Sequence, residues 1–286
     1  MRVSKLYCRF SWNNKLAYMC PLNGYGLAIF IYINFVQKET MSLSQLKSNY
    51  SAVLETINNT NFINGEDRYS GVFLPYPFEE YASASKRVMV VGRETAKWNT
   101  INGKNTIKRI VEQNEANNLQ SIIDESFERY SWHLLAKKNG QLKTTHRSHF
   151  KRFYARLAKE LGASPQQLVY ANLYAWDYNG LSPTRRGKKE FSIIQNLSAE
   201  LLAEAIKFCK PDIIVFAVGC NRKNDDTIKL VMDTHFGGYE TKELERKRYW
   251  RFTSNNMDCY RIAHPRANSK EQARFRNLVI GNIIGE

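Results

Sequence analysis

The sequence predicts an α/β protein, a three-layer α/β/α sandwich around a central, mostly parallel sheet of four strands. Two observations predict this fold. Four short apolar runs have the continuous, β-branched composition of strands buried on both faces. Amphipathic helical patterns separate these runs. Because parallel strands are joined by crossover helices that cover the sheet, the alternation favours a parallel sheet between two helical layers.

The chain before the predicted sheet divides into two segments. Residues 1–40 contain an apolar stretch at 26–36, which is shorter than the about 20 residues of a bilayer span and has no signal-peptide cleavage site after it. A helical pattern with a serine cap begins at Met41. Residues 1–40 are therefore either an atypical extension upstream of a working start at Met41 or a peripheral packing segment. Residues 41–85 are predicted to be a helical segment that packs on the core.

The rest of the chain, residues 86–286, is predicted to be the α/β/α domain. The four strands are predicted at residues 87–91, 167–171, 212–218 and 258–263. Between and after them, helices are predicted at residues 146–161, 197–209 and 269–283. The first of these helices stops at a glycine and the last begins with a capping box. A basic helical insertion at about residues 100–165 separates the first two strands.

Composition limits the class of protein and of partner. The 286 residues include 42 Lys and Arg against 27 Asp and Glu, a net charge of +15, and 13% are aromatic, which excludes wholesale disorder. The positive excess indicates a polyanion as partner, although charge alone does not distinguish DNA, RNA and an acidic membrane. Five cysteines without a Cys-x2-Cys pair argue against a disulfide scaffold and a zinc or iron–sulfur centre, and indicate a cytoplasmic protein.

Three chemically useful side chains follow predicted strands. Glu94 comes after the first strand, Asn172 after the second and His264 after the last. Ligands of open parallel sheets bind outside the carboxyl ends of the strands, so these residues are expected to meet at one edge. Each has a structural alternative: Glu94 as a charge at a helix N-terminus, Asn172 as a loop cap and His264 as a structural histidine.

Cationic side chains concentrate in two parts of the sequence. No acidic residue occurs between Glu128 and Glu160, and a second cluster follows Asn172. A merely solvated surface usually mixes charges of both signs, so we predict that these parts bind DNA. The DNA-binding candidates are Arg147, Lys151, Arg152, Arg185, Arg186, Lys188, Lys189 and Arg266. A third basic group, at residues 242–251, also contains acidic residues and is typical of an ordinary charged surface.

The ordered signals resemble the uracil-DNA glycosylase superfamily. The sequence VMVVGRET at 88–95 resembles its first motif, and YANL at 170–173 resembles the strand with the base-binding Asn. IVFAVG at 214–219 resembles the third core strand, and IAHP at 262–265 resembles the His-Pro motif. The resemblance covers about residues 86–284, and the order and spacing of the motifs give it its specificity.

The resemblance implies roles for individual residues. Glu94 would orient the attacking water and stabilise the sugar cation, and His264 would stabilise the departing base. Asn172 would bind the flipped base, with Arg93 and Asp177 as further base-binding candidates.

Three positions depart from the superfamily pattern. Arg93 replaces the usual Gln or Glu, Thr95 replaces the usual Pro, and Arg266 stands where a Ser commonly follows His-Pro.

The expected activity is that of a monofunctional DNA glycosylase, a monomer that acts without a metal or a cofactor and is not associated with a membrane. It would hydrolyse the N-glycosidic bond of a flipped base and leave an abasic site. The substrate is expected to be uracil, in DNA repair, or a hypermodified pyrimidine of phage DNA, in antiviral defence. The alternative is a non-catalytic nucleic-acid-binding protein with a glycosylase-like fold.

Overall fold

A computed structural model describes residues 9–12, 15–18, 31–33, 42–57, 68–98, 106–134, 137–138, 141–142 and 148–285. The chain forms two compact units, Met1–Met41 and Ser42–Glu286. In the first unit, three strands pair in an antiparallel sheet in chain order. They are β1 (Arg9–Trp12), β2 (Lys15–Tyr18) and β3 (Ile31–Ile33).

The second unit is an α/β structure with a mixed sheet of six strands. Its strands, in chain order, are β4 (Val88–Gly92), β7 (Leu168–Asn172), β8 (Ile213–Phe216), β9 (Glu240–Glu245), β10 (Tyr249–Ser254) and β11 (Met257–Ile262). A separate small pair consists of β5 (Lys137–Lys138) and β6 (Gln141–Leu142). The spatial order of the large sheet is β7-β4-β8-β11-β10-β9.

Four neighbouring strands of the large sheet coincide with the four predicted strands. β7, β4, β8 and β11 are parallel to one another, and β10 and β9 extend the sheet as an antiparallel hairpin. The predicted count of four strands was therefore too low. The two additional strands lack a continuous apolar run because β9 is the edge strand and β10, which lies between β11 and β9, is fully buried on one face only. β9 is exposed along almost its whole length, and β10 alternates buried and partly exposed residues.

Seven helices are described in the second unit. They are α1 (Leu43–Glu55), α2 (Ile107–Glu115), α3 (Leu119–Leu134), α4 (His149–Glu160), α5 (Lys188–Cys209), α6 (Arg222–His235) and α7 (Lys270–Ile284). The predicted insertion at about 100–165 contains α2, α3 and α4. α5 is nine residues longer at its start than the sequence pattern predicted, since it begins at Lys188 and not at residue 197.

Serine caps fix the starts of several helices. Ser42 accepts a hydrogen bond from the backbone of α1, as predicted, and Ser269 does the same for α7. Ser148 caps α4, so this helix begins at His149 and not at residue 146. A cap satisfies one of the backbone N–H groups that a helix leaves without a partner at its first turn.

The central strands separate two apolar cores. In β4, Met89 and Val91 belong to one core, with apolar residues of α1, α3, α5 and α6, while Val88 and Val90 belong to the other, with residues of α4 and α7. Successive side chains of a strand point to opposite faces, so helices cover both faces of the sheet. This arrangement is compatible with a three-layer sandwich. Within the described ranges, no helix combines the length and the apolar character that crossing a membrane requires.

Candidate active site

The parallel register brings the ends of four strands to one edge of the sheet. Gly92, the last residue of β4, pairs with Asn172, the last residue of β7. Phe216, the last residue of β8, pairs with Val91 on one side and with Arg261 of β11 on the other. His264 follows the end of β11 by two residues. Glu94, Asn172 and His264 therefore all leave the sheet at its carboxyl edge, where an open parallel sheet binds ligands.

Gly92 allows the first two of these strands to approach closely. A Cβ atom at this position would lie 2.8 Å from the side-chain amide of Asn172 and 3.1 Å from the Phe150 ring. Beyond the strands, the pairing continues, because Leu173 N donates to Gly92 O (2.8 Å) and Tyr174 N donates to Arg93 O (2.9 Å). Gly92 is therefore needed for the close packing of β4 against β7 at the carboxyl edge of the sheet.

The Asn172 side chain, only 4% exposed, is held by a small polar network. In the amide orientation that satisfies both ends, Oδ1 accepts from Thr95 Oγ1 (2.6 Å) and Thr95 N (3.2 Å). Nδ2 donates to Tyr170 Oη (3.0 Å) and Ala171 O (3.2 Å), and Tyr170 Oη lies 2.7 Å from Thr95 Oγ1. The amide therefore has two donors and two acceptor sites in use within the protein.

Glu94 forms a bidentate ion pair with its neighbour. Arg93 Nε and Nη2 each lie 2.6 Å from a different carboxylate oxygen of Glu94. The Glu94 side chain is 8% exposed and that of Arg93 35%, so the guanidinium covers a nearly buried carboxylate. The hydrogen bonds to Glu94 raise the pKa of Arg93 further above its ordinary value. The ion pair occupies one acceptor site on each carboxylate oxygen.

His264 is a neutral hydrogen-bond donor at neutral pH. Burial lowers its pKa to about 4, with smaller contributions from the positive charges of Arg93 and Arg266 and from His149. Its Nδ1 accepts a hydrogen bond from the backbone N–H of Arg266 (3.1 Å). The single proton of the neutral ring is therefore on Nε2.

The structure adds two residues to which the sequence analysis assigned no role. Tyr170 is two residues before Asn172 on β7, so both side chains lie on the same face of the strand. His149 is the first residue of α4 and lies close enough to His264 to lower its pKa. The alternation of β7 could have indicated Tyr170, whereas the proximity of the two histidines depends on how α4 packs.

Asp177 is buried and joins three loops. Its Oδ1 accepts from Gly180 N (2.6 Å), its Oδ2 from Trp98 N (3.3 Å), and its own backbone N–H donates to Ser70 Oγ (2.9 Å). Burial raises the pKa of this carboxyl group, and the hydrogen bonds partly offset the increase. These contacts give Asp177 a structural role. Its binding of a base stays a prediction that they do not favour.

The predicted DNA-binding cations differ in their surroundings. Lys151 Nζ donates to His133 O (2.6 Å), and Arg186 pairs with Glu190 while its guanidinium lies over the Tyr178 ring. The charged groups of Lys151 and Arg186 are thus both engaged in contacts within the protein. The exposed candidates are Arg152, Arg185, Lys188, Lys189 and Arg266. Arg147 lies outside the described residues.

No protein-family model matches the chain, and no curated protein matches it. In the part of the chain that the structure describes, no group of three or more His, Cys, Asp or Glu side chains is arranged to hold a metal ion. The functional interpretation therefore depends on the geometry of the carboxyl edge.

Proposed function

We propose that the protein is a DNA glycosylase that hydrolyses the N-glycosidic bond of a damaged or modified base flipped out of DNA. The observation that supports this most directly is the position of Glu94, Asn172 and a neutral His264 at one edge of the sheet, in the chain order of the superfamily that the sequence resembles. We expect the enzyme to act as a monomer, without a metal or a cofactor.

The two ends of the scissile bond require different groups. Cleavage creates positive charge on the sugar and negative charge on the leaving base. His264 Nε2–H would donate a hydrogen bond to the departing base and stabilise its negative charge. Because the imidazole is neutral, closing the site does not remove water from a charged side chain. Glu94 would stabilise the sugar cation and orient the attacking water. Each such group typically contributes about 100-fold or more to the rate.

Two rearrangements must accompany substrate binding. Arg93 must turn away from Glu94 to expose a carboxylate oxygen, which its partly exposed position permits. Asn172 must exchange at least one hydrogen bond to Thr95 or Tyr170 for a bond to the base. Once turned outward, Arg93 presents planar donors to oxygen atoms of the base or of a substituent on it. This supports a hypermodified pyrimidine as well as uracil, with antiviral defence or DNA repair as the corresponding roles.

The surface near the site is suited to hold the DNA backbone. Arg185, Lys188 and Lys189 are exposed at the start of α5, which follows the carboxyl end of β7. Backbone contacts position a duplex, and the enzyme must then replace the stacking of the extruded base. Leu181, a 48% exposed apolar side chain on the preceding tight turn, is suited to fill the gap in the base stack.

The contacts of Arg93 and Asn172 within the protein also support the alternative function, a non-catalytic nucleic-acid-binding protein. Arg93 engages both oxygens of Glu94, and the Asn172 amide is satisfied inside the protein. A protein that retained the fold but not the chemistry would have such a closed site. In that case, it would bind DNA through its cationic surface and release no base.

The test is incubation of the full chain with duplexes that contain uracil, other base lesions or glucosylated cytosine, followed by alkaline cleavage at abasic sites. We expect a product from at least one substrate, and a loss of about 100-fold or more in Glu94→Gln and in His264→Ala. Glu112→Gln, a change of an exposed carboxylate on α2, is the matched control. Activity that persists in both site variants contradicts the assignment, and tight binding without product on every substrate supports the non-catalytic alternative.

A further inference from the structure

A concave site lies between α6 and the β9–β10 hairpin. This cleft has a volume of about 730 Å³, within the size range of pockets for small ligands. Arg222, Asp225 and Lys229 line it from α6, Arg246 and Lys247 from the hairpin turn, and Arg261 from β11. None of these residues has a role in the glycosylase chemistry proposed above.

Arg261 is the most unusual of these residues because it is only 2% exposed. Its Nε lies 3.0 Å from Asp225 Oδ1, and its Nη2 lies 3.4 Å from Asp225 Oδ2. Within the described residues, neither Nη1 nor Nε has a hydrogen-bond partner, although Nε is within ion-pair distance of Asp225. A buried donor without an acceptor costs about 1 to 3 kcal/mol, and more when it is charged. The guanidinium at the wall of the cleft is therefore short of acceptor oxygens.

The charge of the cleft favours an anion. Five cations line it (Arg222, Lys229, Arg246, Lys247 and Arg261) against two carboxylates (Asp225 and Asp226), a difference of +3. The cleft also includes the first turn of α6, whose N-terminal end has a partial positive charge. Backbone N–H groups at such an end, together with an Arg, are a common arrangement for binding phosphate oxygens.

The sheet register places the hairpin turn near the proposed active site. Tyr249, the first residue of β10, pairs with Ile262, the last residue of β11. The turn with Arg246 and Lys247 therefore lies at the same edge of the sheet as His264. Both of its cations are exposed, and Lys247 adopts a left-handed conformation (φ 62°) that makes the turn tight.

We propose that this cleft binds a phosphate group, with Arg261 as the buried ligand and Arg246 and Lys247 as the cations at its entrance. The phosphate belongs either to a nucleic acid strand or to a free nucleotide. Phosphate matches the site because several oxygens can accept at once from a guanidinium and from helix N–H groups. The proposal is independent of whether the protein cleaves a glycosidic bond.

The experiment is calorimetric titration of the full chain with inorganic phosphate, thymidine monophosphate and a single-stranded oligothymidylate. Two variants change the cleft: Arg246→Ala with Lys247→Ala, which removes exposed charges, and Arg261→Lys, which retains the charge of the buried side chain but not its fork. Lys108→Ala with Lys159→Ala removes two exposed lysines on α2 and α4 as a control. Thermal unfolding of each variant shows whether it is folded.

We expect all three probes to bind, with affinity at least about tenfold weaker in both cleft variants than in the control, as the loss of one charged hydrogen bond implies. A larger loss of affinity for the oligonucleotide than for the monophosphate in the cleft variants identifies a strand as the ligand of the cleft, and the reverse identifies a free nucleotide. Absence of phosphate binding, or equal affinity in folded cleft variants and the control, overturns the proposal.

Discussion

At the scale of single residues, the carboxyl edge depends on Gly92 and on the proton of His264. At Gly92, β4 and β7 leave no room for a side chain, since a Cβ there would overlap the amide of Asn172. His264 is neutral because burial and nearby cations oppose its protonation. One residue determines the shape of the edge, and the other determines which hydrogen-bond donor it presents.

Replacement of Gly92 tests the close approach. We expect Gly92→Ala to lower the free energy of unfolding by about 1 to 3 kcal/mol, because the Asn172 amide and the Phe150 ring are both held in place. The measurement is urea unfolding. Gly281→Ala in α7 is the matched control, since a Cβ there meets no atom within 4 Å and alanine favours a helix by up to about 1 kcal/mol. Equal stability of the two variants would contradict the packing argument.

The lowered pKa of His264 predicts how stability depends on pH. As pH falls from about 6.5 to 4, the unfolded chain binds a proton at this residue and the folded protein does not. The folded state therefore loses up to about 3 kcal/mol over this range from His264. The variant His264→Asn retains a side-chain acceptor but cannot titrate. Urea unfolding at pH 7 and pH 4.5 should show a smaller loss for the variant than for the wild type, and an equal loss would refute the assignment.

At the scale of elements, α5 begins in an unusual way. Its cap is Gly187, which has no side chain to accept a backbone hydrogen bond, and its first two residues are Lys188 and Lys189. Cations at the positive end of a helix dipole are unfavourable. The arrangement concentrates positive charge next to the exposed Arg185, at the edge where the site lies. An anion bound there would relieve the repulsion.

This element predicts a specific salt dependence. We expect the triple variant Arg185→Ala, Lys188→Ala, Lys189→Ala to bind a DNA duplex more weakly, and the slope of log affinity against log salt to decrease by about 2 to 3, the value for that many phosphate contacts. Removal of two cations from the positive helix end should also leave stability equal or slightly higher. Fluorescence anisotropy over a salt series measures the slope. A slope equal to that of the wild type would exclude these cations from the DNA interface.

At the scale of the whole molecule, the positive charge is spread over both units. Residues 1–41 contain five cations and one acid, a net +4, so the second unit retains 15 − 4 = +11. The described residues of the proposed active site, of the phosphate cleft and of both cores belong to Ser42–Glu286. This unit is long enough to bury its own core.

The division into units predicts the effect of a truncation. A chain of residues 42–286 should unfold cooperatively, within a few degrees of the full chain, because a core of this size does not need the first unit. Its affinity for DNA should decrease only by the contribution of four charges, and the decrease should disappear at high salt. Calorimetry and binding at two salt concentrations measure both quantities. A truncated chain that does not fold would show that the units depend on each other.

The sequence by itself determined the four parallel strands and the three side chains at their carboxyl ends. A strand buried on both faces needs a continuous apolar run, and such a run is visible without knowledge of its neighbours. β9 and β10 were missed because neither an exposed edge strand nor a strand that is fully buried on one face only has this requirement. Tertiary structure alone decided that Arg93 covers Glu94, that Asn172 is bound by Thr95 and Tyr170, and that Arg261 lines a charged cleft. The direction and packing partners of each of these side chains depend on the fold. The contacts between them therefore cannot be predicted from periodicity in the sequence.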